Sequence, residues 1–189
     1  MTEKEVIGLF EKHNALLGGH FKLSSGRHSE KYLQCALVLQ HPKIAEKLAL
    51  ALVAKLADTK IDLVVGPALG GVTFAYEVAR ALGVRGIFTE RDENRMALRR
   101  GFSIASGENV LIVEDVVTTG LSTKEVMDVV KAHGGRVAAI ASIIDRSDVT
   151  PDYGVRFEPL AKIKIETYKP EECPLCKTGS PAVKPGSRK

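Results

Sequence analysis

The sequence predicts an α/β fold: a parallel, doubly wound sheet with a small hood lobe from the N-terminal and C-terminal segments, and a flexible loop. Three observations carry this. Apolar runs at residues 61–65, 84–88, 110–113 and 137–144 read as strands, and 110–113 (Val-Leu-Ile-Val) has no polar alternation at all, the mark of burial on both faces. Helical stretches at 71–82 and 122–133 separate successive strands, the rhythm of parallel crossovers. The length of 189 residues suits one such domain, and a domain of this size buries about 70% of its unfolded surface.

In chain order, residues 2–17 read as an amphipathic helix, with Val6, Ile7, Phe10, Leu16 and Leu17 near helical spacing and Gly18-Gly19 ending it. Residues 20–41 hold Ser-Ser-Gly-Arg-His-Ser between two short extended pieces, an irregular lobe. Pro42 suits a helix start, and 44–57 is helical and rich in Ala and Leu. Between Phe88 and Val110 the expected crossover helix is missing. Residues 89–107 are charged and poor in apolar side chains, which predicts a two-stranded flap or mobile lid. Gly134-Gly135 caps the helix at 122–133. After Asp145 come Pro151, Pro159, Pro170 and Pro174, one strand candidate at 160–165, and a Pro/Lys-rich end. The expected division is a single domain over 1–189: a core at 42–149, a hood from 1–41 plus about 150–177, and a tail at 178–189.

Hydrophobic content of 44% and charged content of 26% are ordinary for a globular protein. The net charge of +4 is scattered and suits a small anionic substrate. Without a basic stripe or any Trp, nucleic acid is not an expected partner. No signal-peptide or transit pattern opens the chain, and no run approaches the ~20 residues of a membrane span. Three cysteines make no disulfide framework. A cytoplasmic enzyme with no membrane partner is expected.

The chemistry gathers at residues 110–122. Glu114 and Asp115 follow the buried run, at the crevice where open α/β sheets bind ligands. Thr118, Thr119, Gly120 and Ser122 then offer amides, hydroxyls and a permissive glycine at a helix start, a ready anion site. Together they outline a pocket for a ribose 5-phosphate, although Thr and Ser also cap helices that bind nothing. Gly66-Pro67-Ala68-Leu69-Gly70-Gly71, directly after the 61–65 strand, is a second candidate anion loop or simply a turn. Arg91, Arg95, Arg99 and Arg100 fill the 88–102 stretch beside Glu90, Asp92 and Glu93. The segment is either a solvated charged loop or a lid that grips phosphate through planar guanidinium forks. Arg146 emerges after the 137–144 strand, to pair with Asp145 or Asp148 or to meet a substrate's carboxylate. Cys173 and Cys176 form a single CxxC. Zinc needs four ligands, and no second pair follows, although His residues or a second subunit could complete one. Two reduced thiols in a tail is the plainer reading.

The 110–122 stretch resembles the phosphoribosyl pyrophosphate (PRPP) motif of type I phosphoribosyltransferases. Phe21-Lys22-Leu23-Ser24-Ser25-Gly26-Arg27-His28-Ser29, followed by Tyr32, is similar to the N-terminal signature of orotate phosphoribosyltransferases. Gly-Pro-Ala-Leu-Gly-Gly, Phe-Thr-Glu-Arg, Leu-Arg-Arg-Gly-Phe and Ile-Asp-Arg-Ser fall in the same family order, and the likeness spans about residues 5–177. The resemblance implies transfer of ribose 5-phosphate from PRPP to orotate, giving orotidine 5′-monophosphate and pyrophosphate in pyrimidine biosynthesis. It implies PRPP binding by Glu114, Asp115, Val116, Val117, Thr118, Thr119, Gly120, Leu121 and Ser122, with Gly70, Gly71 and Arg91. It implies orotate binding by Thr118, Arg146, Ser25, Gly26 and Tyr32, and catalytic roles for Glu114, Asp115 and Arg95. It further implies Mg²⁺ held mainly through the pyrophosphate, no protein-held metal, and a homodimer in which Arg91 reaches the neighbouring subunit's site.

The family pattern is not matched everywhere. Arg95 stands where many members carry a loop lysine, so it keeps charge but is a poor proton donor. Ser24 and Gly70 also stand where some relatives have lysines. Two other readings compete. A PRPP-sensing regulator would carry an added DNA-binding or basic RNA-binding element, and none is evident. A purine phosphoribosyltransferase is disfavoured by the Ser-Ser-Gly-Arg-His-Ser segment and Arg146.

Overall fold

A computed structural model describes residues 1–23 and 25–185. Helix α1 (Glu3–Lys12) starts at a capping box in which Thr2 and Glu5 satisfy each other's backbone amides. It is shorter than the 2–17 helix expected, because Asn14 turns left-handed at φ 51°. Leu16 and Leu17 therefore belong to a strand, β1 (Leu16–Lys22), and Gly18-Gly19 lie within it where its register shifts, instead of ending a helix. Strand β1 pairs antiparallel with β2 (His28–Leu33), leaving the turn-rich segment at the tip of a hairpin. Helices α2 (Ala36–Leu39) and α3 (Pro42–Lys55) follow, the latter with Pro42 in its first turn as expected.

Then come β3 (Leu63–Pro67), α4 (Gly70–Leu82), β4 (Arg85–Asp92), β5 (Arg95–Leu98), β6 (Asn109–Val117), α5 (Leu121–Ala132), β7 (Arg136–Asp145) and β8 (Phe157–Lys162). A short α6 (Pro174–Lys177) lies near the end. The main sheet has the order β5-β4-β3-β6-β7-β8, parallel except for β5. Strand β8 starts and stops about three residues before the 160–165 expected. Gly134, at φ 81°, follows the α5 C-cap His133 as the glycine pair suggested.

Both sheet faces are covered. Leu63, Val65, Val110 and Ile112 pack with Val126, Met127 and Val130 of α5. The alternate residues Val64, Leu111 and Val113 pack instead with α1, α3 and α4. Strands β3 and β6 thus bury both of their faces, which is why polar alternation is missing from these stretches of the sequence. From β3 the chain moves outward to β4, then returns to β6 and moves the other way to β7. The order reverses between β3 and β6, the switch point at which such sheets leave a crevice beyond their C-terminal ends.

The charged stretch from Thr89 onward is a flap of two paired strands, as expected, in which the end of β4 pairs with β5 from Thr89↔Leu98 to Asp92↔Arg95. It is well tied. Met96 and Leu98 rest on the cluster under α5, Arg100 pairs with Glu90 at 2.9 Å, and Phe88 meets Phe102 edge to face. No helix among the described residues is long and apolar enough to cross a membrane.

Candidate active site

The crevice is built from three loops at the C-terminal ends of β3, β6 and β7. Strand β6 pairs with β3 only as far as Ile112 but continues along β7 to Val117. Glu114 and Asp115 are therefore still in extended backbone, beyond the reach of β3, and not past the end of the strand as expected. Successive strand residues point to opposite faces, and the two carboxyls do so. Glu114 turns toward α5, 3.5 Å from the Thr123 hydroxyl. Asp115 turns toward the loop after β3, where a Cβ on Gly70 would come within 2.5 Å of its carboxylate. Only glycine leaves room for Asp115 at that point. Gly71 is equally confined, since its Cβ would meet the Val113 carbonyl at 2.9 Å.

Burial governs the electrostatics. It pushes the Glu114 carboxyl up to about 8, and the charge of Asp115 adds to the rise. Burial also raises Asp115, opposed by the hydrogen bond its carboxylate accepts from Val116 N–H at 2.9 Å. Two adjacent acids, both reluctant to ionise, await positive charge or hydroxyl donors.

After β6, residues 116–123 curl around a small hollow of about 40 Å³ that Glu114 also lines. Gly120 opens α5 at φ 75°, and a Cβ there would meet the Tyr153 hydroxyl at 2.5 Å. A side chain at this position would be strained and crowded at once. The hollow is of single-phosphate size and sits at a helix N-terminus, where backbone amides converge.

Thr118 and Thr119 also line a neighbouring cavity of about 530 Å³, together with Ser25, Arg27, Tyr32 and Arg146. This cavity brings the β1–β2 hairpin over the rim of the main sheet. Asp145 is fully occupied, accepting from Ser147 N–H and Oγ and pairing with Lys162 at 3.5 Å. Arg146 is thereby left to face the cavity. Burial makes its charge costly, and Asp148 only partly compensates. An anion beside it would relieve that cost.

Of the residues expected at an acceptor site, Ser25, Tyr32, Thr118 and Arg146 line this cavity. Gly26 does not. At φ 79° it shapes the hairpin turn, donating its N–H to the Leu23 carbonyl at 2.9 Å. Ser24 lies outside the described residues. Sequence reasoning missed Leu23, Arg27, Asp148, Ile165 and Thr167 in the lining. Arg27 sat within the quoted signature and could have been found. It donates to the Thr167 hydroxyl at 2.8 Å and to its carbonyl at 2.6 Å, across 140 positions of sequence, which no local pattern reveals. Arg91 and Arg95 stand on the flap and line neither cavity. Arg91 is held by Glu125 of α5 and by the Asn94 carbonyl at 2.9 Å. Asp115 and Gly70 instead share a third hollow of about 710 Å³ with Gln34, Gln40 and Thr73.

Residues 37–153 match the phosphoribosyl transferase domain family. The chain is 56% identical to the orotate phosphoribosyltransferase of Pelotomaculum thermopropionicum over 189 residues, the full length of both. The crystal structure of orotate phosphoribosyltransferase from Aeropyrum pernix superposes with a TM-score of 0.69 at 26% identity, covering 84% of this chain and 93% of that one. That of the Mycobacterium tuberculosis enzyme in complex with PRPP gives a TM-score of 0.66 at 24% identity, covering 84% and 96%, and speaks for the fold. Full-length identity, the doubly wound sheet and the three-loop crevice agree: the chain belongs to the phosphoribosyltransferase family, and within it to the orotate phosphoribosyltransferases.

Proposed function

We propose that the chain transfers ribose 5-phosphate from PRPP to orotate, releasing pyrophosphate and forming orotidine 5′-monophosphate for pyrimidine synthesis. The observation that carries this is the shared wall of Thr118 and Thr119, which borders both the phosphate-sized hollow and the cavity holding Arg146. A 5-phosphate on the 116–122 amides puts its ribose over Glu114 and Asp115. An acceptor in the larger cavity then approaches from the Arg146 side, where the guanidinium meets its carboxylate or carbonyl. Ser25 and Tyr32 bound the same ligand, and Gly26 sets the turn that presents Ser25.

The C1–O bond to pyrophosphate breaks as the C1–N bond to orotate forms, and the proton on that nitrogen passes to the departing pyrophosphate or to water. Positive charge grows on the ribose and negative charge on the leaving group. Glu114 and Asp115, strained toward neutrality in the free protein, gain most from an adjacent cation, so their stabilisation grows along the reaction. The hollow shared by Asp115 and Gly70 suits the pyrophosphate side. It offers carboxylate, amide and hydroxyl oxygens and no thiol or imidazole, a donor set that fits Mg²⁺ brought in on the substrate. Mg²⁺ so bound would neutralise charge on the leaving oxygens. Arg95 supplies further positive charge from the flap, and the flap excludes water.

A homodimer with shared sites is part of this reading, supported by the exposed Leu69, which lines the Asp115 hollow, and by the exposed Tyr76 on α4. Arg91 would then exchange Glu125 for a pyrophosphate across the interface. Mixing the impaired Asp115→Asn and Arg91→Ala subunits is expected to raise activity above either parent, through one intact hybrid site per mixed dimer. Mixtures no more active than either parent would argue against sharing. The reaction itself is checked by incubating the protein with PRPP, Mg²⁺ and orotate and following loss of orotate absorbance. Turnover of adenine or hypoxanthine with orotate untouched would refute the assignment.

A further inference from the structure

Away from the crevice, four side chains converge that the transfer reaction does not use. His20 of β1 and His28 of β2 meet Cys173 and Cys176 at the short helix α6, with all four candidate ligand atoms within 4.8 Å of one another. His20 Nε2 is 2.9 Å from His28 Nδ1, 3.5 Å from Cys173 Sγ and 3.7 Å from Cys176 Sγ. Cys176 Sγ lies 3.2 Å from His28 Nδ1. A tetrahedral zinc with ordinary Zn–N and Zn–S lengths has ligand edges of about 3.3 Å between nitrogens, about 3.5 Å from nitrogen to sulfur and about 3.8 Å between sulfurs. The four edges measured from His20 Nε2 and Cys176 Sγ lie within about 0.4 Å of these, and the remaining two are no longer than 4.8 Å.

The protonation pattern agrees. His20 Nδ1 is 2.8 Å from the Ser180 carbonyl, which can only accept, so this nitrogen carries the hydrogen. In the neutral ring Nε2 then presents a lone pair to the cluster. A backbone carbonyl that fixes the tautomer in this way is the usual outer partner of a metal-bound imidazole. His20, His28 and Cys173 are buried and Cys176 is half-buried, and neither thiol is in a disulfide. The single CxxC that looked incomplete in sequence gains its other two ligands from the N-terminal hairpin, more than 140 residues away.

We propose that His20, His28, Cys173 and Cys176 form a structural zinc site that fastens the hairpin to the C-terminal segment and holds the acceptor wall in place. Two thiolates with two imidazoles in a tetrahedral set select zinc over the hard cations of the substrate. The two histidines flank the loop that carries Leu23, Ser25 and Arg27 into the large cavity. Pinning both ends of that loop to α6 complements the backbone ties of His28 to Tyr168 and of His20 to Val183. The link to the acceptor wall rests on the orotate reading, whereas metal binding does not.

The test uses the full chain, isolated under reducing conditions without chelator. Elemental analysis is expected to find zinc at one equivalent per chain. Replacement by Co²⁺ should give a thiolate-to-metal charge-transfer band and intense tetrahedral d–d bands. Cys176→Ser should abolish the charge-transfer contribution of one thiolate, and His28→Asn should weaken retention. Stripping the metal should lower the melting temperature and raise KM for orotate roughly tenfold, with KM for PRPP nearly unchanged. Wild-type protein, thiols reduced, that neither carries zinc nor yields the cobalt bands would overturn the site, whatever the variants do. Equal KM values with and without metal would overturn its hold on the acceptor wall. Failure of orotate turnover with zinc present would strike the functional assignment alone.

Discussion

Glu114→Gln and Asp115→Asn are each expected to melt higher than the parent protein and to turn over roughly 10²–10³-fold more slowly, the loss typical of a removed transition-state electrostatic contact. Burial raises both acids, so a neutral isostere removes a penalty that the native fold carries. For Glu114 the direction with pH follows from linkage. Its ordinary value is 4.5, and the folded protein raises it to about 8. Below 4.5 both folded and unfolded states hold the proton. Between 4.5 and about 8 only the folded state does, so stability declines as pH rises, by at most about 1.4 kcal/mol per pH unit. Above about 8 the decline stops. Thermal melts across this range should show the slope in the parent and its loss in Glu114→Gln. A slope unaffected by the substitution would remove Glu114 as its source.

Arg146→Ala is expected to lower kcat/KM for orotate by 10²-fold or more, about 3 kcal/mol, because it strips a partly buried charge from its anionic partner. KM for PRPP should hardly move. Arg146→Lys should recover only part of the loss, since an ammonium lacks the planar fork. The free protein should be no less stable without Arg146, whose charge is burdened by burial. An equal loss for both substrates would mean that the residue supports the rim instead of reading the acceptor.

The main sheet was legible because its physics is local. Val110 to Val113 announce a strand buried on both sides, and Gly134-Gly135 announce the end of α5. The acid pair and the hydroxyl turn after it lie on one continuous stretch, so their neighbourhood followed from the strand itself. Their opposite directions did not, because the length of β6 depends on how far β7 runs beside it. Leu16 and Leu17 fit helical spacing by coincidence, and only the left-handed turn at Asn14 separates them from α1. The acceptor cavity and the His–Cys cluster were the least visible. Both join the hairpin at 16–33 to residues beyond 165, and nothing in either segment encodes the other's position.

The flap has a mechanical consequence. Strands β4 and β5 are joined by Glu93 and Asn94, both with positive φ, a tight two-residue connection that leaves no slack. Arg91 and Arg95 therefore travel together, on a stiff lever whose root is the main sheet. Any swing toward substrate has to unseat Met96 and Leu98 and break the Arg91–Glu125 pair in a single event. Such a latch makes the approach of its two arginines all-or-none.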